Sequence, residues 1–558
     1  MSRRRAIFIL WALVTFGSDQ LVSQEKPQPP RRATTLTGDQ PDTSESAPIP
    51  KIDLPEFEIT GEEVIRLDAM SKSAVDDSWN LRTSTLAGNT KRESPLVSLG
   101  NPEVAGSPVA GGFTGRTFVG LGSFQTPTFD LWMGVSSPSA GLLLRSGYTS
   151  SAGHIDHADY RDGYASITGN LFAGDKTFLP GDVALSGRVG FSGSAYRFYG
   201  FSNPDLQRTI NRVQGSVSAG GDLARVDYDA EFSVNHASVQ DLSKTSETEI
   251  GFRGTAEKNL GRSVIKGSVD LWTDYYSASQ NPYVAGMAVD VRHDLTPTLQ
   301  VNGGLGFYST QGSQGGGDAR FYPVAGVLWR TTDRLTLSAR FAPFLQRSGL
   351  SWLMQQNPYL VNTVGLIHPD YHTNLELVGD VEITQAISGR VGFTYQRADK
   401  IPMFVEQLSP TGSPSGMWDV DYSGTTRIFG LDAEVSASLT PESYAIVSVA
   451  WRDTRNSFTG HALPYAPEFQ TGATYRHTLP FGVTLQTDLS ISGSRSANLA
   501  GSQRLSGYTV WDFRAEYEII PLFAVGVGLQ NILDQSYERW RGYESIPRTA
   551  MLFGSYRW

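Results

Sequence analysis

The sequence predicts an all-β chain: a transmembrane antiparallel β-barrel of about 22 strands, with short periplasmic turns and longer extracellular loops. Three observations predict it. From Arg116 to Trp558, stretches of roughly 10 residues alternate apolar and polar side chains, about the length a tilted strand needs to cross a bilayer. Their polar faces are charged, so they suit water rather than the buried face of a second sheet. Turn signals recur along the same region, alternating with longer polar connections.

Composition sets the outer limits. Hydrophobic residues make up 39% of the 558, and no run of 18 apolar residues follows the N-terminus, which excludes helical membrane spans. An alternating barrel strand dilutes its apolar residues and escapes that test. Gly 58, Tyr 23 and Trp 11 supply turns, close packing and interfacial aromatics. Cys 0 removes any disulfide framework, lipid-bearing cysteine or thiolate metal site. The net charge of -10 argues against nucleic acid and for acidic loops or an acidic lumen.

In chain order, Met1 to about Ser23 reads as a secretory signal, with Arg3, Arg4 and Arg5 preceding the apolar stretch Ala6 to Phe16. Gln24 to about Pro50, rich in Pro, Gln, Thr and Asp, is a disordered spacer. Ile52 to Leu67 is short and β-prone, and Ser71 to Gly112 has few apolar anchors. Residues 24–115 are therefore expected to form a periplasmic segment without a core of its own, ahead of a barrel over 116–558.

The strands carry the argument. In Ala224 to Asn235, Val226, Tyr228, Ala230, Phe232 and Val234 alternate with Arg225, Asp227, Asp229, Glu231 and Ser233. Thr509 to Ile519 sets Trp511, Phe513, Ala515 and Tyr517 against Asp512, Arg514, Glu516 and Glu518, and Asn374 to Ile383 repeats the pattern. The charged sets, with Lys266 and Asp270, are expected to face the lumen, where they either hold a plug or set a weak preference for cations. In the last strand Ala550, Leu552, Gly554, Tyr556 and Trp558 fall on one side, and Met551, Phe553, Ser555 and Arg557 on the other. Trp511, Tyr517, Phe523, Tyr556 and Trp558 belong on the lipid face or at its interfaces. Short turns are expected near Pro138, Asp175, Gly221, Gly261, Pro297, Asp333, Ala386, Pro441, Pro480 and Pro521. Ten such turns separate eleven hairpins, hence about 22 strands.

The C-terminal third resembles the barrel of TonB-dependent outer-membrane receptors. The resemblance lies in YAPEFQTGATYRH, in LSGYTVWDFRAEYEI, and above all in VGLQNILDQSYERWRGYESIPRTAMLFGSYRW. There Asn531, Asp534 and Tyr537 occupy the places of the family's Asn-Leu-Phe-Asp…Tyr signature, and Pro547-Arg548 precedes the last strand as the family's Pro-Gly-Arg does. The opening GRTFVGLGSFQTPTFDLWMGVSS is similar in kind, so the resemblance covers about Arg116 to Trp558. It implies that Leu552, Tyr556 and Trp558 form the signal read by the barrel-assembly machinery during biogenesis. It further implies that Glu56, Phe57, Glu58, Ile59 and Thr60, within PEFEITG, act as a coupling box that adds as a strand to the periplasmic energy transducer. The N-terminus departs from the family. Only residues 63–115 lie between Glu62 and the first strand, with no αβ pattern of a full plug.

No catalytic grouping and no cofactor site stands out, and enzymatic activity is not expected. His154, Asp156, His157 and Asp159 are metal-ligand types at close spacing, but a solvated loop is the simpler reading, and no metal is predicted. Gly312 to Arg320 is glycine-rich but lacks the strand-to-helix setting of a phosphate loop. The expected function is receptor-like uptake of a ligand through a barrel with a reduced plug, in contact with outer-membrane lipid. The alternative is a plugless channel or scaffold whose lumen is closed by a partner protein or by the long Gln346 to Tyr371 loop.

Overall fold

A computed structural model describes residues 113–174, 182–223, 225–408, 412 and 414–558. The expected signal, the spacer, and the box residues Glu56 to Thr60 lie outside the described residues. Among those described, 22 antiparallel strands close into a barrel, from Phe113–Gly122 to Thr549–Arg557. The two-residue stretch Phe344–Leu345 merely continues Leu335–Phe341 along the neighbouring strand Asp370–Thr384. No described helix is long and apolar enough to cross a membrane.

Closure is made by the first and last strands. Arg116 faces Arg557, Phe118 faces Ser555 and Gly122 faces Met551. Beyond that ladder the Trp558 and Gly115 backbones exchange both hydrogen bonds, at 3.0 and 3.1 Å. A barrel closed in this way has no free edge, so every backbone group in the wall finds a partner without water.

The period-two pattern decides which face is wet. On Thr549–Arg557, Leu552 and Tyr556 point outward, 70% and 48% exposed, while Met551, Phe553 and Ser555 are buried on the inner side. Trp511 and Tyr517 are likewise exposed on the outer wall. Strands such as Gln207–Leu223 and Lys244–Leu260 run 17 residues, longer than the roughly 9–11 that a tilted strand needs in the bilayer. The wall therefore rises beyond the hydrocarbon on the long-loop side.

Among the described residues the turns fall where expected, with one displacement; the turn expected near Asp175 lies outside them. Gly221 lies inside the strand Gln207–Leu223, opposite Tyr228, and a Cβ there would stand 2.7 Å from the Tyr228 hydroxyl. This glycine makes room for a ring rather than for a turn. The chain reverses three to four residues later, where Arg225 has φ 67. Arg225 is thus a turn residue, and the strand expected from Ala224 starts at Val226.

Candidate functional site: the barrel interior and its loop-end cap

The long-loop end of the barrel is filled. Between Phe341 and Asp370 the chain folds inward and forms a short helix, Leu350–Gln356. Leu350, Leu353, Met354, Leu360, Val364 and Leu366 join one apolar cluster with inward residues of the wall, among them Tyr196, Ile210, Val239 and Tyr276. Loops from the opposite side contribute Phe404, Met417, Trp418, Tyr465, Leu505, Trp540 and Tyr543. Trp418 is fully buried, donates its Nε1–H to the Tyr465 hydroxyl at 3.0 Å, and bridges to Leu360 as an isolated parallel pair. Tyr359 stacks on Tyr543 at 3.5 Å between ring centres. Residues from both sides of the mouth thus share a single core, which makes the loops a cap rather than separate arms.

Polar contacts fix the cap to the wall. The helix begins at Gly349 with no side-chain cap of its own. Glu247, 4% exposed on the strand Lys244–Leu260, accepts instead from the Leu350 N–H at 2.9 and 3.0 Å and from the Ser351 N–H at 3.4 Å. This carboxylate satisfies the orphan donors of the first turn and complements the helix dipole. A Cβ on residue 349 would come within 2.8 Å of Glu247 Oε1, so a larger residue there would push the carboxylate off the helix start. Arg208 donates to Asp241 and to the Pro358 carbonyl, Asn362 donates to Asp241, and the Tyr276 hydroxyl donates to the Val364 carbonyl. Arg347 reaches Glu249 at 3.1 Å and lies 3.3 Å above the Trp272 ring. Burial, reinforced by Arg347 and Lys400, pushes the His368 imidazole down to about 4. Burial also raises the Glu406 carboxyl, against the pull of Arg541 at 3.4 Å.

Arg225 sits in its turn, but other charges expected to line the lumen lie on the same side of their strands as buried residues. Asp227, Asp229 and Glu231 share a side with buried Ser233 and Ala237, opposite the side of exposed Phe232. Glu231 faces Arg253, whose Nε donates to Asp270 at 2.9 Å. Arg514 pairs with Glu516 at 2.8 Å and stacks over Phe553 at 4.2 Å. Asp512 accepts from the Asn531 backbone N–H at 2.8 Å.

That last bond explains the signature residues. Asn531 has φ 47, a left-handed turn that asparagine tolerates better than most residues, and its side chain spans the loop to the Gln535 and Ile546 carbonyls. Asp534, φ 52, accepts from the Arg548 N–H at 2.8 Å, and buried Tyr537 stacks on Tyr508 at 4.0 Å. The three residues fold the loop leading into Thr549–Arg557. His154, Asp156, His157 and Asp159 do not converge, and among the described residues no group of three or more His, Cys, Asp or Glu could hold a metal. Arg197 takes Asp159 at 3.0 Å and Asp205 at 3.3 Å, while His157 also turns to Asp205. His154 lines a cavity of about 120 Å³ against Tyr199, Tyr359, Tyr543 and Glu544.

The model of the TonB-dependent receptor-like β-barrel matches residues 105–532. The chain belongs to the TonB-dependent receptor family of barrels. Solved receptors share the fold at low identity. The FrpB iron transporter from Neisseria meningitidis is 12% identical, with a TM-score of 0.63 over 80% of this chain and 81% of that one. The copper transporter OprC is also 12% identical, at 0.64 over 81% of each chain. The siderophore receptor PiuA from Acinetobacter baumannii is 10% identical, at 0.62 over 81% and 82%. Family and fold together place this receptor-like barrel in the outer membrane. Sequence reasoning missed Arg208, Asp241, Glu247 and Trp418 as cap residues. The apolar spacing of LSWLMQQ, inside a loop already noted as long, was the available signal.

Proposed function

We propose that this protein is an outer-membrane uptake receptor with a reduced plug. The single observation that carries the reading is a wide, wet-walled family barrel that follows a short N-terminal stretch bearing PEFEITG. In this reading Ser71 to Gly112 enters the lumen as a minimal plug, and Glu56 to Thr60 pair by strand addition with a TonB-type transducer. Leu552, Tyr556 and Trp558 serve as the assembly signal, and the inner charges Asp227, Asp229, Glu231, Asp512, Arg514 and Glu516 grip the plug. The cargo is a ligand too large or too scarce for simple diffusion, met first by the loop end. Deleting Pro55 to Gly61 tests this: energy-dependent uptake should disappear while the barrel still inserts. Uptake that continues unchanged would reject the reading.

One observation favours a second reading, a channel or scaffold closed without an inner plug. The 342–369 segment, with Leu350, Leu353, Leu360 and Leu366 fully buried, already occupies the mouth. A closure of this kind supports a barrel whose resting seal is its own cap. In that case a mild-detergent pull-down recovering a stoichiometric companion would point to the scaffold.

A further inference from the structure

Three arginines stand in one row on the outer wall. Arg397 is the direct cross-strand partner of Arg427, and Arg427 of Arg455, on the adjoining strands Ile387–Asp399, Thr425–Thr440 and Ser443–Asn456. All three are exposed, on the face away from Gln396, Thr426, Ile428 and Thr454, which are buried on the inner side. Like charges placed directly opposite one another weaken a sheet, so the row opposes the pairing that carries it. Part of the charge is answered. Asp453, the next outward residue before Arg455, takes Arg427 at 3.6 Å. Asp399, two residues beyond Arg397, accepts from the Thr425 hydroxyl at 2.6 Å and meets Arg320 at 3.5 Å. Arg455 donates its Nε–H to the Gly460 carbonyl at 3.2 Å. The row remains net positive, and its guanidinium groups face outward.

The wall below the row fixes its depth. Next toward the short turns come Tyr395 and Phe429, ring centres 5.6 Å apart, and then Phe393, Leu431 and Trp451. Val391, Val435 and Val447 follow, all exposed to the outside. Apolar rows that give way to aromatic rings and then to arginines mark a wall rising from hydrocarbon, through the interfacial girdle, to the headgroups. Each arginine lies within two residues of the long-loop end of its strand, so these are the headgroups of the outer leaflet. A guanidinium fork matches phosphate oxygens bidentately and is more weakly hydrated than an ammonium. We propose that Arg397, Arg427 and Arg455 form a docking site for the phosphate of an anionic lipid in the outer leaflet, its acyl chains lying against Phe393, Phe429 and Trp451. A phosphate seated on the row turns the mutual repulsion of the arginines into shared attraction. The inference rests on the outer wall and on the outer-membrane setting, and it does not depend on what the barrel carries.

Native mass spectrometry of the full chain in detergent tests it. The probes are phosphatidic acid, phosphatidylcholine with the same acyl chains, and inorganic phosphate as the free anion. The native chain should retain phosphatidic acid in preference to phosphatidylcholine. Arg397→Met, Arg427→Met and Arg455→Met together should weaken that retention roughly a hundredfold, somewhat less than tenfold for each cation lost from a charged lipid surface. The triple change to lysine keeps the charges but loses the forks, and should hold the lipid at an intermediate level. Arg161→Gln, Lys244→Gln and Lys258→Gln together remove the same charge from other exposed positions and should leave retention unchanged. Should the triple methionine variant not fold, Arg427→Met alone removes the middle member and reads the same response at several-fold. Equal retention of the two lipids by the native chain, or an equal loss in the glutamine variant, overturns the proposal. So does displacement of the lipid by inorganic phosphate at equal concentration, since the acyl chains would then add nothing.

Discussion

Arg208 and Asp241 meet inside the loop-end core with side chains 0% and 2% exposed, Nε to Oδ2 at 2.8 Å. The pair ties two neighbouring stretches of the wall to the cap, because Arg208 also donates to the Pro358 carbonyl and Asp241 accepts from Asn362. A buried pair of this kind is more informative when broken on one side than when removed whole, since a lone buried charge has no water to recover.

Arg208→Met should therefore destabilise the cap by about 3–5 kcal/mol, the usual cost of stranding one buried partner. Arg208→Met with Asp241→Leu should cost less than Arg208→Met alone. Hydrogen exchange over residues 350–366 reads the difference directly. Equal exchange in the single and double variants would show that the charges are not coupled through the cap.

Acid should loosen the same cap through His368. Its Nδ1 accepts from the Ser348 N–H at 3.2 Å, so the folded state needs the neutral ring. Burial, with Arg347 and Lys400 nearby, lowers its pKa from 6.5 to about 4. In the released loop the ring takes its proton first as pH falls. The contribution to stability is therefore complete above about 6.5, declines through the window from 6.5 to 4, and is constant below it. At pH 5 the loss should reach about 2 kcal/mol, since one pKa unit is worth about 1.4 kcal/mol. Tryptophan fluorescence from Trp352, Trp418 and Trp540 should follow that titration, and His368→Gln should flatten it.

The seam between the first and last strands offers a steric prediction. A Cβ on Gly115 would run into the Trp558 ring, which packs against the glycine on the outer wall. Gly115→Val should displace Trp558 and cost about 1–3 kcal/mol, the range for overpacking. The fraction of barrel that resists SDS without heating should fall. Gly115→Val paired with Trp558→Ala should recover part of it.

The wall was legible in the sequence because a strand's two faces read out residue by residue. Asp512, Arg514 and Glu516 alternate with Trp511 and Tyr517 along the sequence, and in the barrel they lie on the side away from those exposed rings. Arg225 was misplaced because a chain reversal at positive φ leaves no mark in an alternating pattern when Arg, not Gly, occupies it. The cap was not legible for a different reason. Its contacts join Leu360 to Trp418 and Tyr196 to Pro358, residues far apart in the chain whose meeting depends on the whole circumference closing first. Loop composition carries no period from which such contacts can be read.

The cap and the N-terminal segment are two candidate seals, and conductance distinguishes them. Trp418 is fully buried, touches Tyr465 and Trp540, and clamps the chain on either side of Leu360, accepting from the Val361 N–H at 2.8 Å and donating to the Tyr359 carbonyl at 3.2 Å. Trp418→Ala should cost about 3–5 kcal/mol in a packed core, enough to populate an open mouth without touching a wall strand. In planar bilayers this variant alone should conduct little if Ser71 to Gly112 seals the lumen from within. Deleting Ser71 to Gly112 alone should likewise conduct little if the cap holds. The two changes combined should give large, stable single-channel currents. Large currents from Trp418→Ala by itself would mean that the loops are the only barrier and that the inner-plug reading fails.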